Sequence, residues 1–258
     1  RCALEHEEPV HTLGPLIHNP IVVEELAEQG VGLSQSLDEI DRGSVIIRSH
    51  GVVPKVIEDA QARGLSVVDA TCPYVKKVHK AASNLVHEGY DLIIVGESGH
   101  PEVEGIVGHA EGKAHVVASP QDLDGLTLGK RVGVVVQTTQ TAANLSAVVA
   151  ALAPLVSELR VVNTICAATS ERQRAAASLS SEADILIVVG GKNSGNTRRL
   201  AQICHAACPK THHIEDAAEL DRSWFDGARL IGITAGASTP QAHIQRVVSA
   251  IERMTAQS

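Results

Sequence analysis

Short apolar runs recur along the chain: Val45 to Arg48, Ser66 to Asp69, Asp91 to Val95, His115 to Ala118, Arg131 to Val136, Arg160 to Val162, Asp184 to Val189 and Arg229 to Ile233. Valine and isoleucine dominate them, as expected of buried strands. Between many of them the apolar positions return at helical spacing. After Asn19-Pro20 come Val22, Val23 and Leu26, and after Thr138-Thr139 come Leu145, Val148, Val149 and Leu152. Ser238-Thr239-Pro240 precedes Ile244, Val247, Val248 and Ile251, and Asn193 to Thr197 heads a segment bearing Leu200 and Ile203. A polar cap followed by a proline marks the starts of several of these helices. Strand and helix in alternation give an α/β fold with mostly parallel sheets.

Nearly all the unusual polar clusters fall just after an apolar run: His18-Asn19, Ser49-His50-Gly51, Thr71-Cys72-Pro73, Gly99-His100-Pro101-Glu102, Gln137-Thr138-Thr139, Cys166, Ser194-Gly195-Asn196 and Ala237-Ser238. Parallel strands share one direction, so these clusters are expected at the carboxyl edges of sheets, where α/β proteins build sites. Helix starts at the same edge present free N–H groups and suit anions.

Composition narrows the function. The chain has 258 residues, 44% of them hydrophobic and 2% aromatic, with a net charge of −8. Few rings to stack on bases and no cluster of cations argue against a nucleic-acid binder. No apolar run approaches a membrane span of about 20 residues and no signal-peptide pattern opens the sequence, so a cytoplasmic protein is the expectation. No linker tract separates domains. The rhythm of the units places them at roughly 1–71, 72–165 and 166–258, cut near each cysteine-bearing strand end.

Five cysteines, Cys2, Cys72, Cys166, Cys204 and Cys208, are widely spread. An odd count in a chain this large points to metal binding or catalysis ahead of disulfides. Cys204 and Cys208, at i and i+4 with His205 between them, imitate zinc spacing but share a face with Leu200 and Ala201 and are expected to pack. Cys72 taken alone reads first as a packed thiol, and only the polar clusters around it turn that reading. His18, His50 and His100 lie in Pro- or Gly-flanked turns, beside hydroxyl and amide groups that suit a diphosphate better than a metal. Alternatively they are turn histidines facing water. Glu102 is a candidate proton carrier placed in a turn, or else a helix-start acid. Thr138 is a proton relay or a plain cap.

In this order, Thr71-Cys72-Pro73, His100-Pro101-Glu102-Val103-Glu104-Gly105, Gln137-Thr138-Thr139 and Lys192-Asn193-Ser194-Gly195-Asn196 resemble the 4-hydroxy-3-methylbut-2-enyl diphosphate reductase family of the non-mevalonate isoprenoid pathway. Thr12 to Asn19 and Thr234 to Ser238 extend the likeness, which runs from about Ala3 to the carboxyl terminus. The resemblance implies a trefoil of three α/β units around a central cavity that holds a 4Fe-4S cluster. Cys72 and Cys166 match two of its three cysteine ligands. His18, His50, Ser194, Asn196 and Ser238 match diphosphate binders, and His100, Glu102 and Thr138 match hydroxyl and proton-relay positions. The implied reaction is reductive dehydroxylation to isopentenyl and dimethylallyl diphosphate, with electrons from an external ferredoxin or flavodoxin.

The sequence departs from the family in two places. The first cluster cysteine, in a Gly-Phe-Cys-x-Gly-Val type motif upstream of His18, has no counterpart here, and the setting of Cys2 resembles the tail of the following helix. Gly195 stands where a serine is common. Two thiolates do not hold such a cluster in the usual way, so the sequence as given reads as an inactive fragment or a divergent relative, with one strand fewer and an open edge in the last sheet. The alternative reading is a non-redox module binding a diphosphate metabolite, or zinc through Cys72, Cys166 and a histidine.

Overall fold

The computed structural model describes residues 9–256. Eleven strands among them form three sheets, and every pairing is parallel. The first sheet has β1 (Val10–Leu13), β2 (Val31–Ser34), β3 (Ser44–Ile47) and β4 (Ser66–Asp69), in the order β2-β1-β3-β4. The second repeats that order with β5 (Asp91–Val95), β6 (Ala114–Val117), β7 (Arg131–Val136) and β8 (Glu158–Val161), as β6-β5-β7-β8. The third holds β9 (Ile185–Val189), β10 (Thr211–Ile214) and β11 (Ile231–Ala235), as β10-β9-β11, so β11 is an edge among the described residues.

Among the described residues are eight α-helices, the first seven between strands and the last after β11: α1 (Pro20–Glu28), α2 (Pro54–Ala62), α3 (Pro73–His87), α4 (Pro101–His109), α5 (Ala142–Leu152), α6 (Ala167–Glu182), α7 (Gly195–Ala207) and α8 (Gln241–Thr255). The first four each open on proline, whose fixed φ suits a first helical turn and whose missing N–H costs nothing there. The residue before a proline is driven extended. Cys72 and His100 accordingly sit at ψ 134° and 133°, as the last residues before their helices.

Side-chain alternation splits each sheet into two packed faces. In the second sheet Leu92, Ile94 and Val135 pack with Val78, Leu85 and Ile106 of α3 and α4. Ile93, Val95, Val132, Val134 and Val136 pack with Leu145, Val148 and Leu152 of α5 on the other face. In the third, Leu186 and Val188 meet Leu200 and Cys204 of α7, while Ile185, Ile187 and Val189 meet Val247 and Ile251 of α8. With aromatics so scarce, these branched aliphatic layers are the core. The helix that follows each matched cysteine packs with the next sheet along the chain: α3, after β4, lies on β5 and β7, and α6, after β8, contacts β11.

By compactness the chain falls into two units. One runs up to Ile17 and again over Val23–Cys166, the other over His18–Val22 and from Ala167 on. Among the described residues no helix is long and apolar enough to cross a membrane.

Candidate active site

In each sheet the strand order reverses between two neighbours: β1 and β3, β5 and β7, β9 and β11, the last at the sheet's edge among the described residues. Adjacent loops there leave in opposite directions and open a crevice at the carboxyl edge. The residues singled out from sequence fall beside these crevices. His50 follows β3, His100 follows β5, Thr138 follows β7, Ser194 follows β9 and Ser238 follows β11, while Cys72 and Cys166 follow the outer strands β4 and β8.

The unit spanning Val23–Cys166 carries the acid–base groups. Glu102 sits in the first turn of α4, not in a turn between elements, yet it is only 2% exposed. Its Oε1 accepts a hydrogen bond from the Thr138 N–H at 2.6 Å and its Oε2 accepts one from Thr138 Oγ1 at 2.9 Å. Burial pushes the carboxyl up to about 6, while the two Thr138 bonds pull the other way. Glu102 thus changes charge near neutrality, as a proton carrier must. Thr138 is no cap: Thr141 caps α5, accepting from the Asn144 N–H. His100 does cap α4, its Nδ1 accepting from the Glu102 N–H at 3.1 Å. In the neutral ring that bond leaves the proton on Nε2. The His50 ring meets the His100 ring edge to face, with centroids 5.6 Å apart.

Backbone hydrogen bonds tie the cysteines to the same loops. The Cys72 N–H donates to Ser49 O at 3.0 Å, beside His50, and the Cys166 N–H donates to Thr138 O at 3.1 Å. Both thiols are free and half-buried. Their donor chemistry fits thiolate ligation of iron. Among the described residues no cluster of three or more His, Cys, Asp or Glu forms a metal site, and Cys2 lies outside those residues. Cys204 and Cys208 are buried, and burial pushes the Cys204 thiol up, so it stays protonated and packs.

The second unit carries Ser194, Asn196 and Ser238, the residues whose match is to diphosphate binders. Ser194 caps α7, accepting from the Thr197 N–H, and Asn196 follows in its first turn, 5% exposed. Both ends of the Asn196 amide and Ser238 Oγ are buried without a hydrogen-bond partner in the protein. Buried polar groups are normally satisfied, so three orphaned atoms at one sheet's switch point call for a polar ligand. Two glycines let the backbone close in. A Cβ on Gly191 would stand 2.3 Å from His18 O, and one on Gly236 would stand 2.1 Å from Thr197 Oγ1. The Asn19 side-chain amide donates to Ser238 O at 3.0 Å, which joins the His18 segment to the β11 loop. Pro240, not Ser238, occupies the α8 cap position, and no side chain caps that helix.

Sequence reasoning passed over His79. It is 6% exposed in α3, stacked on His109 with centroids 4.0 Å apart, and its Nε2 faces Gly105 at close range. Burial, and then the His109 ring, push its imidazole down to about 4, so it is neutral at pH 7. The available signal was its position among Val75, Val78 and Ala82, all on the buried face of the helix.

A repeated parallel α/β scaffold with polar residues at its switch points, among them a buried carboxylic acid with a hydroxyl partner, has the make-up of an enzyme. The family model for LytB protein matches residues 1–252. The 4-hydroxy-3-methylbut-2-enyl diphosphate reductase of Geobacter sulfurreducens is 50% identical over 250 residues, covering 97% of this chain and 89% of the relative. That of Trichlorobacter lovleyi is 47% identical over 248 residues, covering 96% and 89%. A solved (E)-4-hydroxy-3-methyl-but-2-enyl diphosphate reductase, described as the terminal enzyme of the non-mevalonate pathway, is 46% identical with a TM-score of 0.72, covering 97% of this chain and 91% of that one. The Plasmodium falciparum enzyme structure is 28% identical with a TM-score of 0.91, covering 97% and 80%. The chain belongs to the LytB family and is an oxidoreductase.

Proposed function

We propose that the protein is a cytoplasmic reductase that removes the hydroxyl of 4-hydroxy-3-methylbut-2-enyl diphosphate and releases isopentenyl and dimethylallyl diphosphate. The observation that carries this reading is the buried Glu102–Thr138 pair, a carboxyl held up to about 6 within hydrogen-bonding reach of a hydroxyl, in a chain of this family. The reaction breaks one C–O bond and forms one C–H bond, consuming two electrons and two protons and releasing water. Cys72 and Cys166 would each give a thiolate to a 4Fe-4S cluster, which when bound would supply the electrons and a Lewis-acidic iron.

The remaining work falls to the chain's own side chains. Glu102 holds a proton at a carboxylate oxygen and passes it through Thr138 Oγ1 or directly to the departing hydroxyl. His100, its Nδ1 engaged by the Glu102 N–H, presents Nε2–H to the same oxygen. His50 braces that ring edge-on and contributes to anion binding. His18, Ser194, Asn196 and Ser238 bind the diphosphate, whose oxygens fill the orphaned positions on Asn196 and Ser238. Three units over roughly 1–71, 72–165 and 166–258, one sheet to each, account for the way the roles are shared. A ferredoxin or flavodoxin type carrier delivers the electrons. A zinc module is not favoured, because the relatives are reductases.

Substrate binding tests the reading. Asn196→Ala and Ser238→Ala each remove a group held for a phosphate oxygen, and a hydrogen bond to a charged partner is worth about 1.5–3 kcal/mol. Each variant should raise the Kd for the diphosphate about tenfold or more by calorimetry, with the thermal midpoint little changed. An unchanged Kd in both would remove the diphosphate from this site.

A further inference from the structure

The face of α3 beside Cys72 differs in charge from the rest of the chain. The protein carries a net charge of −8. From Pro73 to His87 the helix has no carboxylate, and its exposed residues over the first two turns are Pro73, Tyr74, Lys76, Lys77 and Lys80. Tyr74 is 41% exposed, one of five large apolar side chains so displayed among the described residues, and Lys77 Nζ lies 5.1 Å from its ring centroid. Lys76 pairs with Asp69 at 2.6 Å, which neutralises the nearest acid. Beside this face opens a cavity of about 360 Å³ whose polar lining includes Lys76, Lys80, Asp69, His79, His109 and Asn84, with the Asp69 carboxylate paired to Lys76. Cys72 occupies the cap position of the helix and makes no side-chain cap bond, so the positive end of a 15-residue dipole adds to the lysines.

We propose that this face, with Tyr74 at its centre and Lys76, Lys77 and Lys80 around it, docks an acidic one-electron carrier protein of the ferredoxin type next to Cys72. The inference rests on the reductase reading, which requires two electrons per turnover and hence two docking events. Three features select this partner. An exposed aromatic ringed by cations matches the make-up of a protein interface centre with a steering rim. The sign of the charge suits an acidic surface, and the net charge of −8 on the whole protein discourages docking elsewhere. The helix begins at the thiol that the reading assigns to the cluster, so a carrier seated on its first turns lies beside that thiol. The lysine-lined cavity takes a carboxylate side chain from the partner's rim.

The test is the double charge reversal Lys77→Glu with Lys80→Glu in the cluster-loaded protein, with an acidic 2Fe-2S ferredoxin as the probe. Two reversed charges at the rim should raise the ferredoxin Kd about tenfold at low salt and remove most of its ionic-strength dependence. Turnover driven by ferredoxin should fall by a similar factor, and turnover driven by a zwitterionic viologen should stay at the wild-type rate. Tyr74→Ala, which changes no charge, should raise the Kd at low and high salt alike, and K77Q/K80Q serves if the reversal does not fold. An unchanged ferredoxin Kd in the folded reversal overturns the docking face. Wild-type protein inactive with viologen as well indicts the reductase reading instead, and the Kd comparison still decides the docking face.

Discussion

Glu102→Gln lowers kcat by about two to four orders of magnitude, the contribution expected of a positioned general acid, with KM for the diphosphate little changed. Glutamine has the same shape, and its amide oxygen still accepts the Thr138 N–H that Glu102 Oε1 accepts at 2.6 Å. What it lacks is a proton that comes off near neutrality. The loss should therefore appear in the chemical step measured by single turnover, while the fold persists.

A second readout tests the same residue without substrate. The folded carboxyl is raised to about 6 from an ordinary 4.5, chiefly by burial. At intermediate pH the native state binds more protons than the unfolded chain, so stability falls as pH rises there. The stabilisation is fully present below about 4.5 and is lost as pH climbs through about 6, a total of about 2 kcal/mol from this group. Glu102→Gln removes that slope, which denaturant titrations across the window report. A variant within tenfold of wild-type kcat would show that Glu102 is only a helix-start acid.

The second large effect concerns the thiols. Cys72→Ala with Cys166→Ala should abolish iron and acid-labile sulfide in protein loaded anaerobically, and turnover with them. Both side chains are half-buried and free, so removing two sulfur atoms leaves the packing nearly intact. Cys204→Ala is the control. Its thiol, on α7, is fully buried against α6 and the third sheet and stays protonated, so the metal content should not move although the protein loses about 1–2 kcal/mol of stability. Metal retained in the double variant would mean that other donors hold it.

Much of this was legible in the sequence because the scaffold writes its signal locally. The runs Ser66 to Asp69, Asp91 to Val95 and Arg131 to Val136 are the strands β4, β5 and β7 residue for residue. Pairing a strand end with a proline or glycine turn marked where polar residues collect, and those turns flank the switch points. Three strands left no such signal. Val10–Leu13, Val31–Ser34 and Thr211–Ile214 are four residues each and carry His, Gly, Ser or Thr, so no apolar run announces them. β2 and β10 lie at sheet edges, where one face of polar residues costs little. β1 is central, and it is pinned by parallel pairing to β2 and β3, which only the fold supplies.

At the site, residue identities could be read from the chain but their tertiary pairings could not. That Glu102 lies in a helix yet is almost wholly buried follows from Thr138, 36 residues away, closing over it. Thr138 looked like a cap because the helix after it begins only four residues later, at Ala142. Ser238 looked like one too, but the backbone passes Pro240 before turning helical. His79 was hidden because a buried histidine obeys the same spacing as the valines around it.

The most direct measurement is product analysis. Protein loaded anaerobically with iron and sulfide, supplied with a viologen reductant and 4-hydroxy-3-methylbut-2-enyl diphosphate, should release isopentenyl and dimethylallyl diphosphate, with two electrons and two protons consumed and one water released per product. Substrate recovered unchanged from protein that binds it tightly, at the same affinity with or without Cys72 and Cys166, would contradict the account.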